Sequence, residues 1–334
     1  MWANPQVRLL WFRRLALMGA ALAAAVVVLG AWVRLTNAGL GCPDWPGCYG
    51  HVYPTGVQQA GKAWHEMIHR YAAATLGFII LLLLAWAVAA RKDRGQPLIP
   101  VALLFVVVCL QGALGALTVT LLLRPLIVTA HLLGGITTMS LLWWLSITPE
   151  RRDPAAAEAA LRWLAPAACA VLAVQIFLGG WTSTNYAAVA CPDFPTCQRE
   201  WWPPMDFHDA FVLWRGLNID YEGGVLDNPA RMAIHFTHRV GAAATGLTLV
   251  TLGLLARTRG GSRRLARAGL CLAAAVLLQI GIGIATVHLG VPLGAATLHN
   301  AGAALLVIAM VWLMRALWPA PRVSMVPFGH GNPE

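Results

Sequence analysis

Four histidines occupy matched positions in this chain of 334 residues: His69, His131, His238 and His299. His69-Arg70 in HEMIHRYAAATLG corresponds to His238-Arg239 in IHFTHRVGAAATG at an offset of 169, and His131 in VTAHLLGG corresponds to His299 in ATLHNAGA at an offset of 168. Each lies five or six residues into an apolar run, roughly 6 to 10 Å below one end of a helix that rises 1.5 Å per residue. Two imidazoles at one depth on two helices can face each other across a bundle and take the two axial positions of a haem iron. A lone membrane histidine is as readily a packed residue bonded to a carbonyl. Four at a common depth, paired by a repeat, favour ligation, because ionisable groups inside a bilayer are costly. Zinc and copper also accept imidazole, but no carboxylate or thiolate completes a four-ligand site in both halves.

Other polar residues group around these four. Glu66 precedes His69 by three residues and so shares its helix face. Its counterpart in the repeat is His235, which makes the two sites chemically unequal. A carboxylate beside a haem edge can take a proton from, or stabilise charge on, a substituent being oxidised; the alternative is a helix N-terminal Glu complementing the dipole. Arg70 and Arg239 can pair with haem propionates or with backbone carbonyls and a loop acid. Cys42 and Cys48 in CPDWPGC, and Cys191 and Cys197 in CPDFPTC, can each form a disulfide within their loop, bind metal or remain thiols, although the spacing lacks the two-residue gap of zinc clips. His65 and His235 near helix ends, and His51, His208 and His288 in or beside loops, are expected at solvent or interface. Cys109, Cys169 and Cys271 fall inside apolar runs as small inert residues.

The elements that carry these residues follow from composition. Apolar residues make up 58% of the chain and charged residues 11%, which excludes an ordinary soluble protein. Runs near the roughly 20 residues needed to cross a bilayer occur at about 14–34, 65–90, 97–121, 125–148, 160–183, 232–256, 265–287 and 293–317. The first is expected to remain as a span rather than be cleaved as a signal peptide. The net charge of +10 sits between the spans without interleaved aromatics, so nucleic acid is not an expected partner. Of 24 Lys and Arg, sixteen fall on the side of the N-terminus, including Arg8, Arg13, Arg14, Arg91, Lys92, Arg94, Arg151, Arg152, the Arg257–Arg267 group, Arg315 and Arg322. The positive-inside rule then places both termini in the cytoplasm of a cell whose inner membrane holds the protein, and puts the two cysteine loops on the outer, oxidising side.

LGAWVRLTNAGLGCPDWPGC at 29–48 aligns without a gap on LGGWTSTNYAAVACPDFPTC at 178–197, and QGALGALTV at 111–119 resembles QIGIGIATV at 279–287. The expected fold is an all-α polytopic membrane protein of eight transmembrane helices. It forms two four-helix bundles, residues 1–150 and 151–334, related by a pseudo-two-fold axis along the membrane normal. The loop 185–231, with Trp201, Trp202, Phe207, Phe211 and Trp214, is expected to carry a short interfacial helix.

The eight-span duplicated layout, RLTNAGLGCPDWPGC at 34–48, Glu66-x-x-His69-Arg70, His131, His238-Arg239 and His299 together resemble the haem A synthase family over essentially the whole chain. The resemblance implies oxidation of the C8 methyl of haem O to the formyl of haem A. It implies substrate haem between His69 and His131, Glu66 as the catalytic carboxylate, and a haem B cofactor between His238 and His299. It further implies loop disulfides Cys42–Cys48 and Cys191–Cys197, with a structural role. Haem O, haem A and the lipid bilayer are the implied partners, together with haem O synthase, terminal-oxidase assembly proteins and a second copy of the chain. A di-haem b-type cytochrome in quinol electron transfer would use the same four histidines without needing Glu66. A thiol oxidase would use the four loop cysteines, and a transporter would need a polar site at mid-membrane.

Overall fold

The computed structural model describes residues 4–54, 59–93 and 95–320; Arg94 and Arg322 of the charge pattern lie outside them. Among the described residues the regular structure is helical, without named strands: α1 (Pro5–Leu35), α2 (Ala60–Ala89), α3 (Leu98–Thr120), α4 (Pro125–Ser146), α5 (Ala159–Thr184), α6 (Phe207–Ala210), α7 (Asn228–Arg259), α8 (Arg263–His288) and α9 (Leu293–Leu317). All but α6 are long and apolar enough to cross a membrane, so the chain is a multi-pass membrane protein. Side chains such as Leu103, Leu110, Leu247 and Leu277 point outward, as helices surrounded by hydrocarbon require.

Local chemistry sets the helix ends. Asn4 caps α1 by accepting from the Gln6 amide, with Pro5 at the first helical position. Ser262 caps α8 by accepting from Leu265, and Asp206 caps the four-residue α6 inside the long loop. Two helices start earlier than the apolar runs suggest. The first turns of α2 and α7 contain Lys62, Trp64, Asn228 and Arg231, too polar to read as span, and they lengthen the stem above His69 and His238. Pro166 sits inside α5.

Within the first four helices, α1 packs on α2 and α4, and α3 packs on both α2 and α4. Among the last four, α7 packs on α5 and α8, and α8 on α9. The two sets meet where α1 faces α9 and where α4 faces α5 and α9. At that junction Arg34 donates to the carbonyl of Ser183 at 2.8 Å and stacks on the Tyr186 ring at 4.0 Å, while the Tyr186 hydroxyl reaches Asn37 at 3.2 Å. Ser183 and Tyr186 are the repeat counterparts of Arg34 and Asn37, so residues at equivalent positions touch each other.

The basic segments gather at the opposite end. Arg13 and Arg264 both donate to Thr148, and Arg8 pairs with Asp93 at 2.6 Å. Glu158, wholly buried, holds Arg152 at 2.9 Å and accepts the Gly261 amide at 2.8 Å, while Arg152 also donates to Ala316 at 3.1 Å. This cluster ties the α4–α5 linker to the α7–α8 turn and to the end of α9. Removing one partner strands a buried charge. Glu158→Ala is therefore expected to cost about 3 kcal/mol, read as a lower thermal midpoint of the detergent-solubilised protein, with Glu158→Gln losing less.

Candidate active site

The four histidines lie on the helices expected of them: His69 on α2, His131 on α4, His238 on α7 and His299 on α9. His131 and His299 each follow their helix start, Pro125 and Leu293, by six positions, whereas His69 and His238 follow Ala60 and Asn228 by nine and ten. The difference from the expected depth is the extra polar turn on α2 and α7. The His69 and His131 rings face each other with centroids 6.5 Å apart and planes at 74°. With metal–nitrogen bonds of roughly 2 Å, two imidazoles on opposite sides of one iron have centroids about 6 Å apart, so the spacing fits bis-imidazole ligation. The Nδ1 atoms of both rings are buried without a partner among the described residues.

Each ring rests against a glycine of a neighbouring helix. A Cβ on Gly30 of α1 would lie 3.0 Å from Cε1 of His69, and one on Gly115 of α3 would lie 3.4 Å from that of His131. The corresponding distances are 3.2 Å from Gly179 of α5 to His238 and 2.9 Å from Gly283 of α8 to His299. The glycines make room for the rings without removing helix. They repeat at the offsets of the internal alignment, Gly30 with Gly179 and Gly115 with Gly283.

A cavity of about 650 Å³ opens between His69 and His131. Glu66, Arg70, Arg34 and Trp45 contribute to its wall, and Ser183, Thr184 and Asn300 of the second half close one side. Phe78, Leu81 and Cys109 also line it while being exposed on the outer surface of the helices, so the cavity opens sideways between α2 and α3. Beside Gly77 and Gly112, at this opening, a Cβ would meet nothing within 4 Å. The volume and the apolar lateral opening suit a flat macrocycle with a hydrocarbon tail. Among the described residues no group of three His, Cys, Asp or Glu converges on one point, and the imidazoles at the cavity are those of His69 and His131.

Glu66 is buried in the second turn of α2, beyond the reach of a first-turn dipole contact. It accepts from the Cys42 amide at 2.9 Å and from Arg70 at 2.5 Å. Arg70 in turn donates to the carbonyls of Asp44 at 2.9 Å and Gly47 at 2.5 Å. Arg239 does the same in the second loop, reaching Thr196 at 2.8 Å and Cys191 at 2.9 Å and lying over the Phe194 ring. Both guanidinium groups thus bind loop carbonyls, and Arg70 also a carboxylate, so the capping alternative describes their contacts here.

The loop sulfurs are at bonding distance, 2.03 Å for Cys42–Cys48 and 2.01 Å for Cys191–Cys197. In the first loop the Asp44 carboxylate accepts the Tyr49 amide at 2.6 Å and that of Gly50 at 2.8 Å. These donors, Gly50 foremost, hold its pKa below the ordinary carboxylate range. Asp193 is likewise held low, chiefly by the Thr196 hydroxyl and then by the Arg199 amide. Of the histidines expected at solvent or interface, His51, His208 and His288 are exposed and His65 is half-buried. His235 departs from that expectation: it is only 4% exposed, because α7 begins early and turns this position toward the Ala187 main chain at the start of the long loop rather than toward solvent.

Three glutamines were overlooked as site residues. Gln111, Gln175 and Gln279 each donate from Nε2 to the main-chain carbonyl of a candidate ligand: His131 at 2.9 Å, His238 at 3.0 Å and His299 at 2.9 Å. The recurrence of Gln111 and Gln279 at the head of matching segments was the available signal.

Comparison with known proteins agrees with this architecture. The family model for COX15-CtaA, described as cytochrome oxidase assembly protein, matches residues 13–311. The heme A synthase of Shewanella oneidensis is 40% identical over 330 residues, covering 93% of this chain and 97% of that protein. The heme A synthase of Rhizorhabdus wittichii is 29% identical over 345 residues, covering 92% and 94%. That of Methylobacterium radiotolerans is 30% identical over 318 residues, covering 84% and 83%. The chain belongs to the COX15-CtaA family of cytochrome oxidase assembly proteins.

Proposed function

We propose that this protein is a haem A synthase, an oxidoreductase that converts the C8 methyl of haem O to the formyl group of haem A. The observation that carries the reading is the pair of facing imidazoles, His69 and His131, in a laterally open cavity that also holds a buried carboxylate, Glu66. Residues 1–150 form the substrate half and 151–334 the half that keeps a haem B between His238 and His299. The contacts of Arg34 with Ser183 and of Tyr186 with Asn37 support a pseudo-two-fold axis at the junction, since each joins a residue to its own counterpart. The gathering of basic segments at one end supports an inner-membrane orientation with both termini cytoplasmic.

The reaction takes the methyl and a water to an alcohol, then the alcohol and a second water to an aldehyde hydrate that loses water; each oxidation releases two protons and two electrons, which pass to a membrane electron acceptor outside this chain. The second-half haem, when bound, supplies a one-electron relay for these equivalents. His69 and His131 hold the substrate macrocycle from two sides and fix its rotation between α2 and α4. The first loop and Arg70 fix the Glu66 carboxylate at the cavity wall, where it takes a proton from, or stabilises charge on, the substituent being oxidised. His235 cannot provide that fixed negative charge at the equivalent place, which assigns the chemistry to the first half. The apolar opening between α2 and α3 admits an isoprenoid-bearing haem directly from lipid. Delivery by a haem O synthase, transfer to terminal-oxidase assembly proteins and self-association are separate proposals that co-purification in mild detergent tests.

Introducing the protein into a cell that makes haem O but no haem A, and identifying extracted haems by mass, tests the function. Formyl haem is expected only with the protein present, and unchanged haem O beside well-expressed protein would refute the reading. Glu66→Gln is expected to lower haem A output by about 10²-fold or more while haem binding persists; normal output would remove Glu66 from the mechanism. His238→Ala is expected to deplete haem B in the purified protein, and an unaltered haem B content would exclude it as a ligand. Gly112→Leu, which fills the opening between α2 and α3, is expected to lower haem A output without changing haem B content.

A further inference from the structure

The glutamine contacts divide the four candidate ligands unequally. In the second half both rings are held at two points. Gln175 donates to the His238 carbonyl at 3.0 Å and its Nε2 lies 3.0 Å from His238 Nδ1; Gln279 donates to the His299 carbonyl at 2.9 Å and lies 3.2 Å from His299 Nδ1. In the first half the Gln111 side chain donates to the His131 carbonyl at 2.9 Å and the Gln111 main chain faces the ring, but no side-chain amide stands at His131 Nδ1 among the described residues. His69 has no amide at all: Val26 occupies the position equivalent to Gln175, and its main chain faces the ring.

A second set of residues follows the same division. Gly134, Gly241 and Gly302 each stand three residues after a glutamine-held histidine. A Cβ there would lie 2.2, 2.3 and 2.2 Å from the Oε1 of Gln111, Gln175 and Gln279, so each glycine exists to admit its amide. The residue three after His69 is Ala72. The amide oxygens of all three glutamines are buried and unpartnered among the described residues. The atom that faces Nδ1 of His238 and His299 is the donor Nε2, and a turn of the amide about its last bond presents Oε1 to the Nδ1–H that a ring ligating through Nε2 carries. A ring with a side-chain amide at its Nδ1 edge, able to donate or, once turned, to accept, keeps its rotation when the iron bond breaks. A ring without such a partner is free to turn away.

We propose that Gln175 and Gln279 are positioning residues that make the second-half haem resident, and that Val26 and Ala72, by leaving His69 without an amide, make it the axial ligand that releases. The proposal rests on the functional reading above and deepens it, since a substrate haem must leave as product while a relay haem must stay. Gln111 anchors α4 to α3 and keeps His131 in place while His69 lets go.

The test uses the full-length protein, haem-loaded in detergent and mixed with excess apomyoglobin as haem acceptor, with release from each half followed by absorbance. Gln175→Val, which installs the first-half residue, is expected to speed second-half haem release at least about tenfold and leave first-half release unchanged, which also reports an intact fold. Val26→Gln combined with Ala72→Gly is expected to slow first-half release by about the same factor. Gln279→Leu is expected to shift the low-spin ferric electron paramagnetic resonance signal of the second-half haem, because the ring orientation loses its second anchor; a helix-packing role alone would leave that signal in place. Release rates and spectra unchanged in all three variants, with haem still bound, would overturn the proposal and leave the functional reading standing. Failure of the wild-type protein to hold any haem through His238 and His299 would overturn both.

Discussion

Four imidazole rings, each seated against a glycine of the next helix, set the spacing on which this bundle depends. An apolar helix surrounded by lipid gains little from hydrophobic contact with another apolar helix, so close approach of backbones and a few polar contacts decide which helices pair. Backbones approach closely where Gly253 of α7 meets Gly269 of α8, and small residues also admit polar side chains where Gly30, Gly115, Gly179 and Gly283 meet the histidines, which couples α1 to α2, α3 to α4, α5 to α7 and α8 to α9. Residues at these helix contacts are therefore also the ones that seat the four candidate ligands. Between His69 and His131 the same spacing leaves the cavity open to a flat ligand.

The duplication supplies two equivalent frames, and a small number of departures from equivalence give them different work. Glu66 against His235 places a negative charge at one site only. Val26 stands where the second half has Gln175, and Ala72 where it has Gly241, so His69 is the one candidate ligand without a glutamine bond among the described residues. The two loops are nearly alike in their backbone contacts, with Arg70 and Arg239 each bound to loop carbonyls and Asp44 and Asp193 each closing a turn. Among the described residues, the first loop also reaches a carboxylate on a spanning helix, Glu66, through the Cys42 amide, and the second loop has no counterpart of that bond. Divergence is thus concentrated in side chains at the haem level, while the scaffold around them stays common.

Much of this was legible in the sequence, and the parts that were not have a common physical reason. The spans, the repeat and the four histidines could be read because apolar runs and rare intramembrane ionisable groups are strong signals. The short helix at Phe207–Ala210 followed from an aromatic-rich loop. Glutamines inside apolar runs carry no such signal, since a neutral amide is tolerated wherever a carbonyl can receive it, and their partners lie on other helices. The burial of His235 and the early starts of α2 and α7 depended on polar first turns packing against loops, which local hydropathy cannot anticipate. The contacts of Arg70 and Arg239 were open between two readings because both are carried by the same residue type at the same place.

The central claim is that each half presents a bis-histidine site, and near-infrared magnetic circular dichroism of the oxidised protein, purified from cells that make haem O, addresses it most directly. Two low-spin haem signals of the bis-imidazole type are expected, one abolished by His131→Ala and the other by His299→Ala, each leaving its neighbour intact. A signal of another ligand type, or loss of both signals from either single substitution, would contradict the assignment of two independent sites built by one repeated frame.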